Sequence, residues 1–168
     1  MKNTKNNDEK RALNCLKDCA IDYELFEHEP VWTVSDVENL GLDFNALGLK
    51  TLVLRDRKAE RFYLVVLNEK KRLDIKSLQD RFNEKKLIFA SEENLIDLFR
   101  VLPGSLSPMA LINYKKNSSL KIVLDEDLLS AEYIAMHPNN NAFTVRVSSE
   151  NFQKFMDRLN LDYKYLPL

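Results

Sequence analysis

Two short apolar runs, Thr51 to Leu54 and Phe62 to Leu67, flank the charged stretch Arg55 to Arg61, and nothing else in the chain constrains its architecture as tightly. Both runs are β-branched and aromatic, so each reads as a strand, and the polar stretch between them reads as the turn of a hairpin. Helical spacing appears on either side. Leu13, Leu16 and Ala20 mark a first helix from about Asp8 to Ala20. Ser35 and Glu38 have the spacing of a capping box, which predicts a short helix beginning there. Asp74 can cap a helix carrying Ile75, Leu78 and Phe82 on one face, and Ser91 with Glu92 and Glu93 opens another. Phe152, Phe155 and Leu159 stripe a last helix from about Ser149 to Leu159.

Further extended segments are expected at Tyr23 to His28, ending before Pro30, and at Leu87 to Ala90. The same holds for Ala110 to Tyr114 and Leu120 to Leu124, joined by the polar turn Lys115 to Ser119, and for Phe143 to Val147. Tyr133 to Met136 lead into the polar loop His137 to Asn141, while Leu102 to Pro108 holds two prolines around a glycine and is too broken for a helix or a central strand. Helices interrupt the strands without a regular βαβα rhythm, which argues against a doubly wound parallel sheet. The expected class is α+β: a mixed, mainly antiparallel sheet, curled toward a barrel, with helices outside it. With 168 residues and no repeat or linker, residues 1–168 read as one domain.

Composition removes several classes of function. At 45% hydrophobic and 30% charged, the chain is far from the disordered class, and no apolar run approaches the roughly 18 residues of a membrane span. The start, MKNTKNNDEK, has no apolar segment behind its charges, so no secretory signal is read and a cytoplasmic location is expected, without a membrane partner. Net charge is −1, yet Lys50 to Lys86 holds twelve basic against six acidic residues, net +6, leaving −7 for the rest. A local basic surface suits a phosphate-rich partner, and equally suits solvated faces of a charged protein.

Chemistry is harder to place. Cys15, Cys19, His28 and His137 are scattered, without the spacing of a zinc site, so no metal is expected. Cys15 and Cys19 lie four apart on a helix and read as buried or half-buried free thiols, and no serine sits in a nucleophile-elbow context. Three glycines leave no phosphate-binding glycine motif, so no nucleotide cofactor is implied. What remains is a set of loops on a hydrophobic scaffold: His28-Glu29-Pro30, Lys50 at a strand start, Gly104 to Pro108, and His137-Pro138-Asn139. Each residue also has an ordinary structural reading, as a strand-end charge, a turn glycine or a loop histidine bonded to backbone.

Together these loops resemble a known family. LPGSLSPMALIN looks like the G-x-x-x-P loop of the YbaK-like, prolyl-tRNA-synthetase-associated editing domains, with Gly104 and Pro108 at its ends. HEPVWTV, KTLVLRD with RFYLVVL, and HPNNNAFTV are similar to the family's other signature stretches, in the same order. The resemblance runs from about residue 10 to the C-terminus and is strongest to the free-standing, PrdX-like members, which deacylate alanyl-tRNA for proline. It implies a curled mixed sheet, no cofactor, and hydrolysis of the ester that joins a wrong amino acid to the acceptor end of a tRNA, with prolyl-tRNA synthetase as a possible partner and no DNA. It also implies roles. Lys50 matches the functional lysine, Gly104 belongs to the loop that aims backbone N–H groups at the developing oxyanion, and His137 matches the histidine loop that shapes the pocket. Thr51, Ser105, Ser107, Pro108 and Asn139 are the accompanying substrate-binding candidates. Lys50-Thr51 departs from the Lys-Asn pair of many alanine-specific relatives and is closer to the cysteine-editing branch. Ala-tRNA is the leading substrate, Cys-tRNA or another small residue the alternative, and a non-catalytic tRNA- or protein-binding module of the same fold the reading from a different class.

Overall fold

The computed structural model describes residues 2–168 except 33, 103 and 117, and the side chains of 2–6 and 34 lie outside it as well. Thr33, Pro103 and Asn117, which fall within segments read above, are therefore outside the described residues. The hairpin is present: β2 (Leu47–Arg55) runs antiparallel to β3 (Arg61–Asn68), with Thr51 opposite Val66 and Leu54 opposite Tyr63. Its turn is closed by Asp56, whose buried carboxylate accepts from the N–H groups of Glu60 at 2.9 Å and Arg61 at 3.2 Å.

Strand β3 is buried on both faces. Phe62, Leu64 and Val66 join the larger core cluster on one side, and Tyr63, Val65 and Leu67 join a smaller one on the other. That two-sided burial is why the sequence shows an unbroken apolar run instead of an alternation. The larger cluster is closed by α1 (Lys2–Asp18), α4 (Glu92–Phe99) and α6 (Ser149–Arg158). The smaller is covered by α3 (Ile75–Phe82), whose N-cap Asp74 accepts from the Ser77 N–H at 3.0 Å. At the start of α4, Ser91 and Asn94 exchange both bonds of a capping box.

One eight-stranded mixed sheet results. It runs β1 (Glu24–Glu27), β7 (Phe143–Ser148), β6 (Tyr133–Met136), β2, β3, β5 (Ser119–Asp125), β8 (Tyr163–Leu166), with β4 (Ile88–Phe89) on β2. The sheet is open, ending on β1 and β8. Pairs β2·β6, β3·β5 and β5·β8 are parallel, and the other four are antiparallel. Two short α-helices, α2 (Val34–Asn39) and α5 (Asp127–Ser130), lie between strands.

Several local expectations are corrected. Residues Ala110 to Tyr114 are not a strand; Pro108–Asn113 forms a 3₁₀ helix, with Pro108 at its start and the Ser107 hydroxyl accepting from the Met109 N–H. Met109, Ala110 and Leu111 are all buried, so no face is left for alternation. Strand β5 consequently has no hairpin partner before it and pairs parallel with β3 and β8. Helix α1 begins at Lys2 and ends at Asp18; Ala12 and Leu16 form its buried face, while Ala20 is exposed at positive φ beyond the end. Helix α2 begins one residue before Ser35, and Asp36 takes the backbone N–H of Trp32 at 2.8 Å. Strand β2 starts at Leu47, placing Lys50 inside it rather than at its beginning.

Candidate active site

Strand β2 changes partners along its length, and the change opens the site. Leu47 and Gly48 pair with β6, whereas β4 joins only at Leu54 and Arg55, so Leu49 to Leu52 have no strand on that edge among the described residues. A cavity of about 430 Å³ occupies the gap. Val31, Leu49, Val53, Leu95 and Leu106 give it an aliphatic wall, and Lys50, Thr51, Gly104 and His137 also line it. Four of the residues singled out in the sequence therefore meet at one place. The other four do not line it: Ser105, Ser107, Pro108 and Asn139 are buried behind it.

Their burial has identifiable work. The Ser107 hydroxyl donates to the His137 carbonyl at 2.5 Å, tying the Gly104 loop to the histidine loop. Asn139 sits at φ +59° and donates to the Met109 carbonyl at 3.4 Å, and the left-handed conformation suits asparagine. Asn140 donates to Glu9 of α1 at 2.8 Å and Asn141 to the Val31 carbonyl at 3.1 Å. The run of three asparagines is thus the framework that fixes His137. Ser105 keeps its hydroxyl buried without a hydrogen-bond partner, while its N–H donates to the Leu102 carbonyl at 3.1 Å.

Gly104 has φ +82°, and a Cβ there would lie 2.3 Å from Cε3 of the Trp32 indole. Both the backbone angle and the close ring require glycine. Among the described residues of the loop, Gly104 and Leu106 line the cavity. The Lys50 ammonium donates to the carbonyls of Lys71 and, at 3.2 Å, Glu69, holding a positive charge at the end of the β2–β3 pair.

His137 Nδ1–H donates to the Phe143 carbonyl at 2.8 Å. Burial pushes the imidazole below the ordinary histidine range, only partly opposed by that bond, and the ring is neutral at pH 7 with its lone pair on Nε2. His28 lies 6.4 Å away between ring centroids; its Nδ1–H donates to the Glu29 carbonyl and its Nε2 accepts from Thr144 Oγ1 at 2.9 Å.

Sequence reasoning missed Glu69. Its carboxyl is half-buried and pushed up by that burial, and it stands with Val37, Leu49 and His137 in the wall shared with a second cavity of about 340 Å³. The signal was Gly48, a glycine inside a strand: a Cβ there would meet the Glu69 carboxyl at 2.2 Å. The cysteines are as expected. Burial, with Cys19 close by, pushes the Cys15 thiol up to about 11, which keeps it protonated and unreactive at neutral pH.

The model of the aminoacyl-tRNA editing domain matches residues 28–155. The prolyl-tRNA editing protein ProX of Acetoanaerobium sticklandii is 33% identical over 153 residues, covering 91% of this chain and 93% of that protein. A prolyl-tRNA synthetase associated domain-containing protein of Bos taurus is 28% identical over 147 residues, covering 85% of each. A crystal structure proposed as a trans-editing enzyme for prolyl tRNA synthetase shares the fold, with a TM-score of 0.69 at 18% identity over 96% of this chain and 97% of that one. The loops that meet at the cavity and the family match over most of the sequence point the same way: this chain belongs to the aminoacyl-tRNA editing domain family.

Proposed function

We propose that this aminoacyl-tRNA hydrolase acts in trans on mischarged proline tRNA and that the amino acid it removes is alanine. The observation that carries the reading is the meeting of Lys50, Gly104 and His137 on one cavity with an aliphatic wall. Alanine is smaller than proline, so a pocket built for proline rejects it by only ~1–3 kcal/mol. A second site that admits the smaller residue and hydrolyses its ester supplies the missing discrimination.

In the proposed reaction, water adds to the ester carbonyl, the tetrahedral oxyanion is held by the N–H groups of Gly104 and Leu106, and the ribose oxygen leaves with a proton. Lys50 holds the terminal nucleotide by charge and orients the ester. His137 Nε2, which keeps its lone pair at neutral pH, accepts a hydrogen bond from a ribose hydroxyl or the water. Val31, Leu49, Val53, Leu95 and Leu106 make dispersion contacts with a methyl side chain.

Single-turnover deacylation of Ala-, Cys- and Pro-tRNA, all on the proline tRNA, tests this with wild type and Lys50→Ala. Loss of alanine alone, slowed about 100-fold or more by the substitution, is the expected result. Preference for the cysteinyl ester would overturn the alanine assignment, and turnover of none of the three would leave a binding module.

A further inference from the structure

We propose that Trp32 and Phe89 form a stacking site for the unpaired nucleobases at the 3′ end of the tRNA. Trp32 is 60% exposed and Phe89 58%, more than any other large apolar side chain among the described residues. Exposed apolar surface of this size, concentrated at one place, marks a binding surface. Both rings line the cavity that contains Lys50, Gly104 and His137, and they arrive from unrelated elements, the loop after β1 and strand β4.

Trp32 is held in place there. Its indole lies against the Cα of Gly104, so a flat ring stands beside the loop assigned to the reacting ester. Phe89 closes β4, and the two exposed lysines just before that strand, Lys85 and Lys86, line a separate surface cavity with Arg57 and Lys58 beside the Arg61–Glu84 pair, Asp56 and Glu60. Flat exposed rings lining a cavity, with cations nearby in the chain, make a combination that binds single-stranded nucleic acid: bases stack on the rings while phosphates meet charges. An ester seated in the cavity is joined to such a strand, because the acceptor end of a tRNA finishes in the unpaired trinucleotide CCA.

The inference rests on reading the chain as an aminoacyl-tRNA deacylase, but its test needs no turnover. Trp32 is the sole tryptophan of the chain, so its fluorescence reports on this position alone. The probe is the uncharged oligonucleotide ACCA, titrated into wild type, Phe89→Ala and Phe89→Tyr. Expected are saturable quenching in wild type, binding weakened about tenfold or more in Phe89→Ala, and near wild-type binding in Phe89→Tyr. An abasic ribose-phosphate strand of the same length should quench little. Absence of quenching by ACCA, equal quenching by the abasic strand, or equal affinity in Phe89→Ala would each overturn the site. A fluorescence change that follows protein concentration instead of oligonucleotide would also overturn it, and would assign the rings to self-association. Stacking of ACCA by a protein that hydrolyses no aminoacyl-tRNA would refute the deacylase reading while leaving this one intact.

Discussion

At single residues, two features of the site separate chemistry from stability. Gly104→Ala would place a side chain at φ +82° and 2.3 Å from the Trp32 ring, so the loop must shift. A destabilisation of about 1–2 kcal/mol is expected in urea denaturation, with a larger fractional loss in deacylation, because the N–H groups of the loop move with it. His137 gives a pH signature. Its folded-state pKa is lowered by burial, so as pH falls through about 6.5 the unfolded chain takes up a proton that the folded chain refuses. Stability therefore declines with falling pH and levels off below the folded pKa. His137→Gln removes that component, and wild type should lose more stability than the variant between pH 8 and pH 5. Deacylation that relies on the Nε2 lone pair should persist below the ordinary histidine range. The sequence pointed to Gly104 and His137 because special backbone angles and polar loops leave strong marks. Glu69 left almost none, since its place in the wall depends on the course of β2 and not on its neighbours in the chain.

At the level of elements, legibility followed how local the determining interactions are. Helix α3 with its Asp74 cap, α4 with its Ser91 cap and the β2–β3 hairpin are written in a few adjacent residues, and all were readable. The 3₁₀ helix Pro108–Asn113 was not, because a short buried apolar run has no period, and a proline at its first position suits a helix start as well as a strand edge. Strand β8 escaped for the opposite reason: Tyr163–Leu166 is half-exposed at an edge and becomes a strand only by pairing with β5. The hairpin itself yields a prediction. Asp56 is 5% exposed and satisfies two backbone N–H groups of its turn, so Asp56→Ala removes both charge-assisted bonds and should cost about 1–2 kcal/mol of stability. Asp56→Asn, which keeps an acceptor, should recover much of that deficit in the same denaturation experiment.

Across the whole molecule, charge is divided more finely than the net +6 of Lys50 to Lys86 implies. Arg61 is committed to Glu84 in a two-pronged pair, at 2.7 and 2.9 Å, and also approaches Asp56. Lys71 bridges Asp125 and Asp127, both at 2.9 Å, and Arg55 donates to the carbonyls of Asp56 and Arg57. Cations already matched inside the protein release few counterions on binding RNA. Arg57, Lys58, Lys85 and Lys86 are exposed near the end of the hairpin and the start of β4, and we take them as the first candidates to meet phosphates. If they do, tRNA affinity measured against KCl concentration should fall along a log–log line, and replacing Lys85 and Lys86 by alanine should flatten its slope by about 0.7–0.9 for each phosphate no longer neutralised. Lys154→Ala is the control, since Lys154 pairs with Glu150 on α6, outside this strip, and should leave the slope as it is. An unchanged slope in the Lys85 and Lys86 variants would place the acceptor stem on a different face, with the cavity entered from the opposite side of β4.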